Sequence, residues 1–271
     1  MVMQLYDAHA HFIHPVLREH WSTISKDLDR IGLKYAVVNG TSPEDWPDVL
    51  QLASDDSRIL PAIGLHPWKL KEAQPDWQDL FLRMLHSNNL IAIGEIGLDR
   101  STQNATLETQ LDAFRWQLDQ AQIRNLPVSI HCNKAIGHLM NVLRTARLPE
   151  RGIHLHAYNG PVELVPELVR LGAFFSFNAG QLKPQNRKAI ERVRNIPLER
   201  LLIETDAPNS IPSPEMRTFE LPPDTDRNIY THPATLHDSY ITVADVLNLT
   251  FDKLRNQIAD NFNAFFLRPE F

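Results

Sequence analysis

The chain has 271 residues, of which 43% are hydrophobic, and this is enough for a globular protein with a substantial buried core. Its net charge of -6 excludes a general electrostatic attraction for nucleic acid, so a phosphate-bearing partner needs a local site or bound cations. Cys132 is the only cysteine, which excludes an intrachain disulfide. Because the sequence shows no signal peptide and no long apolar run, it predicts a cytoplasmic protein with no membrane partner.

Eight short apolar segments alternate with longer amphipathic ones along the chain. The strand candidates are LYDAHAHF from Leu5, YAVVNGT from Tyr35, ILPAIGLHP from Ile59, LIAIGEIGLD from Leu90, PVSIHCN from Pro127, GIHLHAYNG from Gly152, AFFSFNAG from Ala173 and LLIETDAP from Leu201. The clearest helix is TLETQLDAFRWQLDQAQIRN from Thr106, whose predicted buried face consists of Leu107, Leu111, Phe114 and Leu118. The last segment, TVADVLNLTFDKLRNQIADNFNAFF from Thr242, is predicted as one continuous helix.

This alternation predicts an α/β fold, a (β/α)8 TIM barrel, in a single domain over residues 1–271. A doubly wound open sheet is the alternative, but no glycine-rich phosphate loop follows the first strand. The segment from Pro208 to Pro233 interrupts the rhythm with six prolines and little periodicity. Since long loops after barrel strands often line active sites, we expect this segment to form a wall of the substrate site.

Histidines and carboxylates lie at the ends of five predicted strands. Side chains alternate in an extended strand, so His9 and His11 share one face, with Asp7 behind them. The candidate metal ligands are His9, His11, Glu95, His131, His156 and Asp206. Strand ends converge on one face of a barrel, and burying these groups together is costly unless cations compensate them. The sequence therefore predicts a metal site on that face.

Two divalent metal ions suit this set of ligands. A carboxylate can bridge two cations, and Glu95 lies between the early and late histidines in barrel order. We assign one cation to His9, His11, Glu95 and Asp206, and the second to Glu95, His131 and His156, each with an open position for water. Zinc is the first expectation, with manganese, nickel, iron or magnesium as alternatives. Asp7 and Glu204 are candidates for orienting an imidazole, because each precedes a ligand by two residues.

Six short motifs, DAHAHF, GLHPW, GEIGLD, HCNKA, HAYNG and ETDAP, follow one another in this order. Together they resemble the signatures of the TatD-type metal-dependent deoxyribonucleases of the amidohydrolase superfamily, between residue 6 and about residue 266. The resemblance implies a TIM barrel whose two-metal centre hydrolyses phosphodiester bonds in DNA, often from the 3′ end. It also implies that His66 of GLHPW contacts the substrate phosphate and does not bind metal.

Two departures from the family pattern concern the substrate. Arg100 stands where the family usually has tyrosine, and Asn133 and Lys134 stand where it often has arginine and aspartate. Arginine and lysine are the side chains that bind phosphate, so Arg100 and Lys134 are expected to contact the substrate.

The predicted reaction is attack of metal-activated water on phosphorus, with Glu95 and Asp206 as the catalytic carboxylates and Asp206 as the proton acceptor. A related hydrolase acting on an ester, lactone or amide other than nucleic acid is the first alternative, because the fold serves many chemistries. A non-enzymatic binding protein is the second alternative, and the complete ligand set argues against it. The sequence does not predict the oligomeric state.

Overall fold

In residues 4–87 and 89–267, which the computed structural model describes, eight parallel strands pair in the order β1 to β8. The strands are β1 (Leu5–Ala10), β2 (Leu33–Gly40), β3 (Ile59–Ile63), β4 (Ala92–Asp99), β5 (Val128–Asn133), β6 (Ile153–Leu155), β7 (Ala173–Phe177) and β8 (Leu201–Ile203). Each predicted strand segment is present, and the predicted TIM barrel is confirmed. Residues 1–3, 88 and 268–271 of the predicted domain lie outside the described residues.

The described part of the chain also forms ten α-helices. They are α1 (Pro15–Glu19), α2 (Trp21–Ile31), α3 (Trp46–Asp55), α4 (Trp77–Ser87), α5 (Leu107–Arg124), α6 (Ile136–Thr145), α7 (Val165–Arg170), α8 (Arg187–Asn195), α9 (Leu236–Leu247) and α10 (Phe251–Phe266). None of them is both long enough and apolar enough to cross a membrane. Most of the hydrophobic core lies between the outer face of the strands and the helices that cover it.

The barrel closes between β8 and β1 just past the carboxyl ends of these strands. The N–H of His11 donates to the carbonyl of Ala207 at 2.8 Å, and the N–H of Asp206 donates to the carbonyl of His9 at 3.0 Å. These two hydrogen bonds hold the DAHAHF and ETDAP motifs side by side. Three of the candidate metal ligands are thereby placed by the closure of the barrel itself.

Asp7 contributes to this closure and does not orient an imidazole, so its expected role is wrong. Its carboxylate is buried and accepts the backbone N–H of Thr205 at 3.0 Å and the Thr205 hydroxyl at 2.6 Å. It also accepts the backbone N–H of His9 at 3.2 Å. With both oxygens bound across β1 and β8, the carboxylate has no contact with a histidine ring in the described residues.

Helix α5 is confirmed, but its buried face differs from the prediction. Of the four apolar residues expected on that face, the first two are only half-buried, whereas Gln110 and Gln117 are buried. Gln110 accepts the N–H of Asp99 at 2.8 Å and donates to its carbonyl at 2.9 Å. Gln117 makes the same pair of bonds to Leu65, at 2.7 and 3.2 Å. The two amides thus fix the backbone where β3 and β4 enter the site.

The single helix predicted from Thr242 is in fact two helices. Helix α9 ends at Leu247 because Asn248 adopts a left-handed conformation with φ of 53°, which short polar side chains tolerate. Thr250 then caps α10, since its hydroxyl accepts the N–H of Lys253 at 3.3 Å. Asn248 thus ends one helix and Thr250 begins the next, and the continuous apolar periodicity hid both signals.

Helix α10 closes the lower, amino-terminal end of the barrel. Phe262, Phe265 and Phe266 are fully buried there and form a second hydrophobic cluster with Tyr6 and Phe174. The ring centroids of Tyr6 and Phe262 lie 4.9 Å apart, as do those of Phe174 and Phe265. The lower interior is therefore a mainly aromatic core, whereas the histidines and carboxylates that face Glu95 lie at the upper end.

Candidate metal centre

Glu95 lies at the centre of the upper end of the barrel. The ladder between β4 and β5 shifts register between Ile93 and Ile96, and such an irregularity re-aims a side chain. Within the described residues, the carboxylate of Glu95 faces five imidazoles, those of His9, His11, His66, His131 and His156. These rings come from β1, β5 and the segments that follow β1, β3 and β6, so the barrel geometry converges on one acidic group.

One oxygen of Glu95 belongs to the group formed by the late histidines. Glu95 Oε1 lies 2.8 Å from His156 Nε2 and 3.1 Å from His131 Nδ1. The two ring nitrogens are 3.4 Å apart. These three atoms can face a single cation, as the sequence predicted for its second metal ion.

The other oxygen belongs to the group formed by the early histidines. Glu95 Oε2 lies 3.3 Å from His11 Nε2 and 3.6 Å from His9 Nε2, and these two nitrogens are 3.2 Å apart. Asp206 completes the group, with its Oδ1 3.7 Å from His11 Nε2. The structure thus brings all the predicted ligands together in two groups that share Glu95, and their binding of metal stays a prediction.

Hydrogen bonds behind the rings determine which nitrogen atoms can bind a cation. His11 Nδ1 donates to the backbone carbonyl of Asn39 at 3.0 Å, so the lone pair of a neutral His11 ring is on Nε2. That lone pair faces the carboxylate oxygens of Glu95 and Asp206. His9 Nδ1 lies 3.0 Å from the hydroxyl of Ser129, which leaves its Nε2 toward the same space.

Asp99 performs the same task for His131, and sequence reasoning missed it. His131 Nε2 donates to Asp99 Oδ2 at 2.9 Å, so the lone pair of the neutral ring is on Nδ1, facing Glu95. Asp99 is fully buried and also accepts the indole N–H of Trp68 at 2.8 Å and the hydroxyl of Ser101 at 2.6 Å. The available signal was its position four residues after Glu95 in GEIGLD.

The arrangement of these donors fits divalent metal ions. Lone pairs of His11 and His131 point at carboxylate oxygens, and this arrangement is repulsive unless positive charge is present. Imidazole nitrogen and carboxylate oxygen are ligands of zinc, manganese, nickel and iron. Ligand atoms of three groups lie within 4.8 Å of one another: His9, His11 and Asp206; His9, Glu95 and His156; and His66, Glu95 and His131.

The pKa values of these groups show the same demand for positive charge. Burial alone would raise the pKa of Glu95, but the surrounding imidazoles, led by His66 and His156, hold it well below its usual range. Burial would lower the pKa of His11, but Glu95 and Asp206 raise it to about 9. Burial and the nearby His156 lower the pKa of His9 well below its usual value. In the absence of metal, protons are therefore retained on part of the cluster.

His66 lies in the same cluster but presents a donor. The backbone N–H of Trp68 donates to His66 Nδ1 at 3.2 Å, so a neutral His66 ring carries its hydrogen on Nε2. Nε2 lies 3.5 Å from Glu95 Oε1 and faces the open part of the site. A ring with an Nε2–H donates a hydrogen bond and does not coordinate metal, which is consistent with the role implied by the family resemblance. Its contact with substrate stays a prediction.

Glu204 lies behind His156, as the sequence suggested for an orienting carboxylate. Its Oε1 is 3.8 Å from His156 Nδ1, beyond hydrogen-bonding distance. The Glu204 carboxylate accepts the N–H of Ala157 at 3.0 Å and the hydroxyl of Ser176. His156 Nδ1 is buried without a hydrogen-bond partner among the described residues. Glu204 therefore acts on His156 mainly through its charge and through the backbone of Ala157.

The cluster opens into a cleft of about 680 Å³. Its floor includes His11, Glu95, His131, His156 and Asp206, whereas His9 is fully buried beneath them. One wall is formed by His66, Trp68 and Lys69, and another by Glu44, Asp45 and Asp48. Of the proline-rich segment expected to form a wall, only its first two residues, Pro208 and Asn209, line the cleft.

Arg100 and Lys134 lie outside this cleft. Both line a neighbouring depression of about 520 Å³, together with His138 and Arg144. Asn133, between the two, donates its amide to Asp99 at 3.3 Å and to the hydroxyl of Ser101 at 3.0 Å. Both side chains are therefore placed beside the metal face and not over it. Contact of Arg100 and Lys134 with the substrate stays a prediction.

A parallel barrel with imidazole and carboxylate donors at the carboxyl ends of its strands defines the TIM-barrel class of metal-dependent hydrolases. The family model for TatD related DNase matches residues 6–267, nearly the whole chain. The chain therefore belongs to the TatD-related DNase family, as its motifs indicated, and it is a metal-dependent hydrolase of that family.

Individual relatives are similar over most of their length. The chain is 28% identical to the uncharacterized metal-dependent hydrolase YjjV of Escherichia coli K12, covering 77% of this chain and 81% of the relative. It is 30% identical to the 3′-5′ ssDNA/RNA exonuclease TatD of the same strain, covering 70% and 76%. The crystal structure of YjjV superimposes with a TM-score of 0.89 at 24% identity, covering 99% of this chain and 100% of that one.

Proposed function

We propose that this metal-dependent hydrolase is a nuclease that cleaves phosphodiester bonds of single-stranded nucleic acid, DNA first, from the 3′ end. The observation that carries the proposal is that imidazole nitrogens face each of the two carboxylate oxygens of Glu95, at the floor of one cleft. A two-cation site of this kind suits displacement at phosphorus. The 3′-5′ exonuclease TatD, a 30% identical relative, supports the choice of substrate.

Each residue of the cluster has a defined task in this proposal. His9, His11, Glu95 and Asp206 would hold one cation, and Glu95, His131 and His156 the second. Bound cations of this kind lower the pKa of water to near neutrality and stabilise charge on phosphoryl oxygens. Asp99 and Asn39 keep the rings of His131 and His11 in the tautomer that binds metal.

Four side chains act on the attacking water or on the substrate. Asp206 lines the cleft at the edge of the cluster and accepts the proton of the attacking water. His66 donates from Nε2 to a phosphoryl oxygen, because its Nδ1 is already occupied by the N–H of Trp68. Arg100 and Lys134 bind phosphates farther along the strand, in the neighbouring depression.

A second candidate, hydrolysis of an ester, lactone or amide, is favoured by one observation. The wall formed by Glu44, Asp45 and Asp48 is acidic and lies within the main cleft. Carboxylates repel a polyanion, so a neutral substrate would meet less electrostatic opposition there. This wall is compatible with a nuclease when the strand approaches from the side of Arg100 and Lys134 and only its end enters the cleft.

The test compares substrates under one set of conditions. Protein loaded with zinc or manganese is incubated with a 5′-labelled single-stranded oligonucleotide, with bis-p-nitrophenyl phosphate, and with neutral esters and lactones. We expect stepwise shortening of the oligonucleotide from its 3′ end, lost on chelation and restored by metal. An Asp206→Asn variant serves as the inactive control. Turnover of the acyl substrates with no cleavage of the oligonucleotide would reject the nuclease and support the second candidate.

A further inference from the structure

Trp68 is the one Phe, Tyr or Trp side chain of residues 4–87 and 89–267 that is exposed, with 49% of its surface accessible. It lines the main cleft directly beside the metal cluster, and its ring centroid lies 5.1 Å from that of His66 and 6.0 Å from that of His131. Leaving a large apolar ring in water forgoes the stabilisation that its burial would give. The position of this ring therefore requires an explanation.

Polar anchors hold Trp68 in this exposed position. Its indole N–H donates to Asp99 at 2.8 Å, and its backbone carbonyl accepts the side-chain amide of Asn104 at 2.9 Å. Its backbone N–H is bound by His66. The anchors fix the ring, while the contacts with His66 and His131 are both edge-to-face. In the part of the chain that the structure describes, no ring stacks parallel on the indole.

We propose that the indole of Trp68 is a stacking platform for the base of a nucleotide that flanks the scissile phosphodiester. The inference rests on the proposed nuclease function and specifies how that site holds its substrate. Aromatic rings that stack on bases are the usual means by which proteins hold single strands without reading their sequence. A ring about 6 Å from His131 is within the reach of one nucleotide whose phosphate lies at the cluster.

The platform also predicts a preference for unpaired ends. A base stacked on Trp68 has left its own helical stack, and this costs least at a single-stranded terminus. Lys69, next in the chain, lines the same wall, and its ammonium group forms an exposed ion pair with Glu72 at 3.5 Å. The acidic wall of Glu44 and Asp48 disfavours a further phosphate in the cleft. Together these features select the end of a strand with its last base on the indole.

The experiment compares wild type and two variants on three substrates. Trp68→Leu removes the ring and the Asp99 hydrogen bond, whereas Trp68→Phe removes the hydrogen bond and keeps a ring. Each protein is assayed with a single-stranded oligonucleotide and with copies that carry an abasic residue at one of the two nucleotides flanking the first scissile bond. Loss of the Asp99 bond affects every substrate equally, so the ratio of kcat/KM between the base-bearing and abasic substrates isolates stacking.

We expect this ratio to fall about 5- to 100-fold in Trp68→Leu, mainly through KM, and to be kept in Trp68→Phe. A ratio unchanged in Trp68→Leu would reduce Trp68 to a positioning residue for Asp99 and overturn the proposal. A readout independent of turnover is quenching of intrinsic fluorescence by a hydrolysis-resistant phosphorothioate oligonucleotide, which we expect to be weaker in Trp68→Phe than in wild type. Equal quenching in the two proteins would also reject the platform. If wild type cleaves none of the oligonucleotides, the proposed function itself fails, a result distinct from both.

Discussion

Both ends of the barrel interior are largely buried, but they differ in what burial contributes to stability. At the lower end, Phe262, Phe265 and Phe266 are fully inaccessible and pack in an apolar cluster, and the rings of Phe265 and Phe266 also contact His154. At the upper end, Glu95 is 3% accessible and is surrounded by imidazoles. Burying aromatic surface stabilises the fold directly, whereas burying a carboxylate destabilises it unless opposite charge is supplied. The lower end stabilises the barrel by burying aromatic surface, whereas the upper end requires positive charge, from retained protons or from the cations proposed above.

His154 marks the boundary between the two ends. Its ring centroid lies 6.2 Å from that of Phe265 below and 6.3 Å from that of His9 above. Its Nε2 lies 2.6 Å from the hydroxyl of Ser176, and burial lowers its pKa well below the usual value. His154 is thus a neutral, hydrogen-bonded interior histidine.

The largest effect is expected at the upper end, from Glu95→Ala. This change removes the carboxylate shared by both ligand groups, so metal content should fall by about two ions per chain and activity by at least about a thousandfold. His156→Ala is the matched comparison, because the His156 ring belongs to only one ligand group, and its removal should lower the metal content by about one ion. Metal analysis of the purified proteins measures the number of ions per chain, and circular dichroism verifies that the variants are folded. Two ions retained in both variants would contradict the shared role of Glu95.

The next effect is expected at the lower end, from Phe265→Ala. Truncating a fully buried phenylalanine typically lowers the free energy of unfolding by about 3–5 kcal/mol, through lost burial and the cavity left behind. Metal content and kcat of the folded protein should be unchanged, because the site lies at the opposite end. Lys253→Ala, on the exposed surface of the same helix, is the control and should change stability by less than about 0.5 kcal/mol. Loss of metal in the folded Phe265 variant would show that the two ends are coupled.

The sequence predicted the barrel because its signal is repeated. Eight apolar runs at regular spacing allow errors in individual strands, so β6 and β8 could be recognised although each has only three residues in the sheet. The division of the last helix at Asn248 was missed, since one αL residue and one capping threonine are weak against an apolar pattern that continues through them. Gln110 and Gln117 were missed because buried amides that bind strand backbone look like exposed polar residues in sequence.

The candidate ligands could be predicted, but their orientation could not. Histidines at strand ends show which residues converge, as His9 and His131 do. The tautomer of each ring depends on a partner that is distant in the chain, such as Asn39 for His11. The reach of Arg100 depends on loop geometry, which strand periodicity does not describe. Tertiary hydrogen bonds therefore carry the chemical detail that residue patterns leave open.

Asp99→Asn tests the hydrogen bond that supports His131 at the upper end. An amide can present its N–H to His131, favour the wrong tautomer and turn the donor away from Glu95. We expect metal affinity or activity to fall about 10- to 100-fold, with the fold retained. Asp112→Asn, on the exposed face of α5, is the control. Wild-type metal binding in the Asp99 variant would show that Glu95 alone fixes the His131 ring.

Arg100→Ala tests whether the site extends into the neighbouring depression. Because this variant would lose a charge-assisted hydrogen bond to phosphate, we expect kcat/KM for an oligonucleotide to fall about tenfold. The salt dependence should become shallower, and the metal content should not change. Bis-p-nitrophenyl phosphate has no neighbouring phosphate, so its hydrolysis should be little affected. Equal effects on the two substrates would exclude contact with a neighbouring phosphate.

The smallest effect is expected from Glu44→Gln, which removes one charge from the acidic wall of the cleft. Glu44 is exposed, so its repulsion of the substrate is weakened by water and by salt. At low ionic strength we expect kcat/KM for an oligonucleotide to rise about twofold, and at about 0.5 M salt the difference should vanish. Hydrolysis of a neutral ester should not change at either salt concentration. A decrease for the oligonucleotide would show that Glu44 binds the terminal nucleotide, for example through a sugar hydroxyl, and that the wall is not purely repulsive.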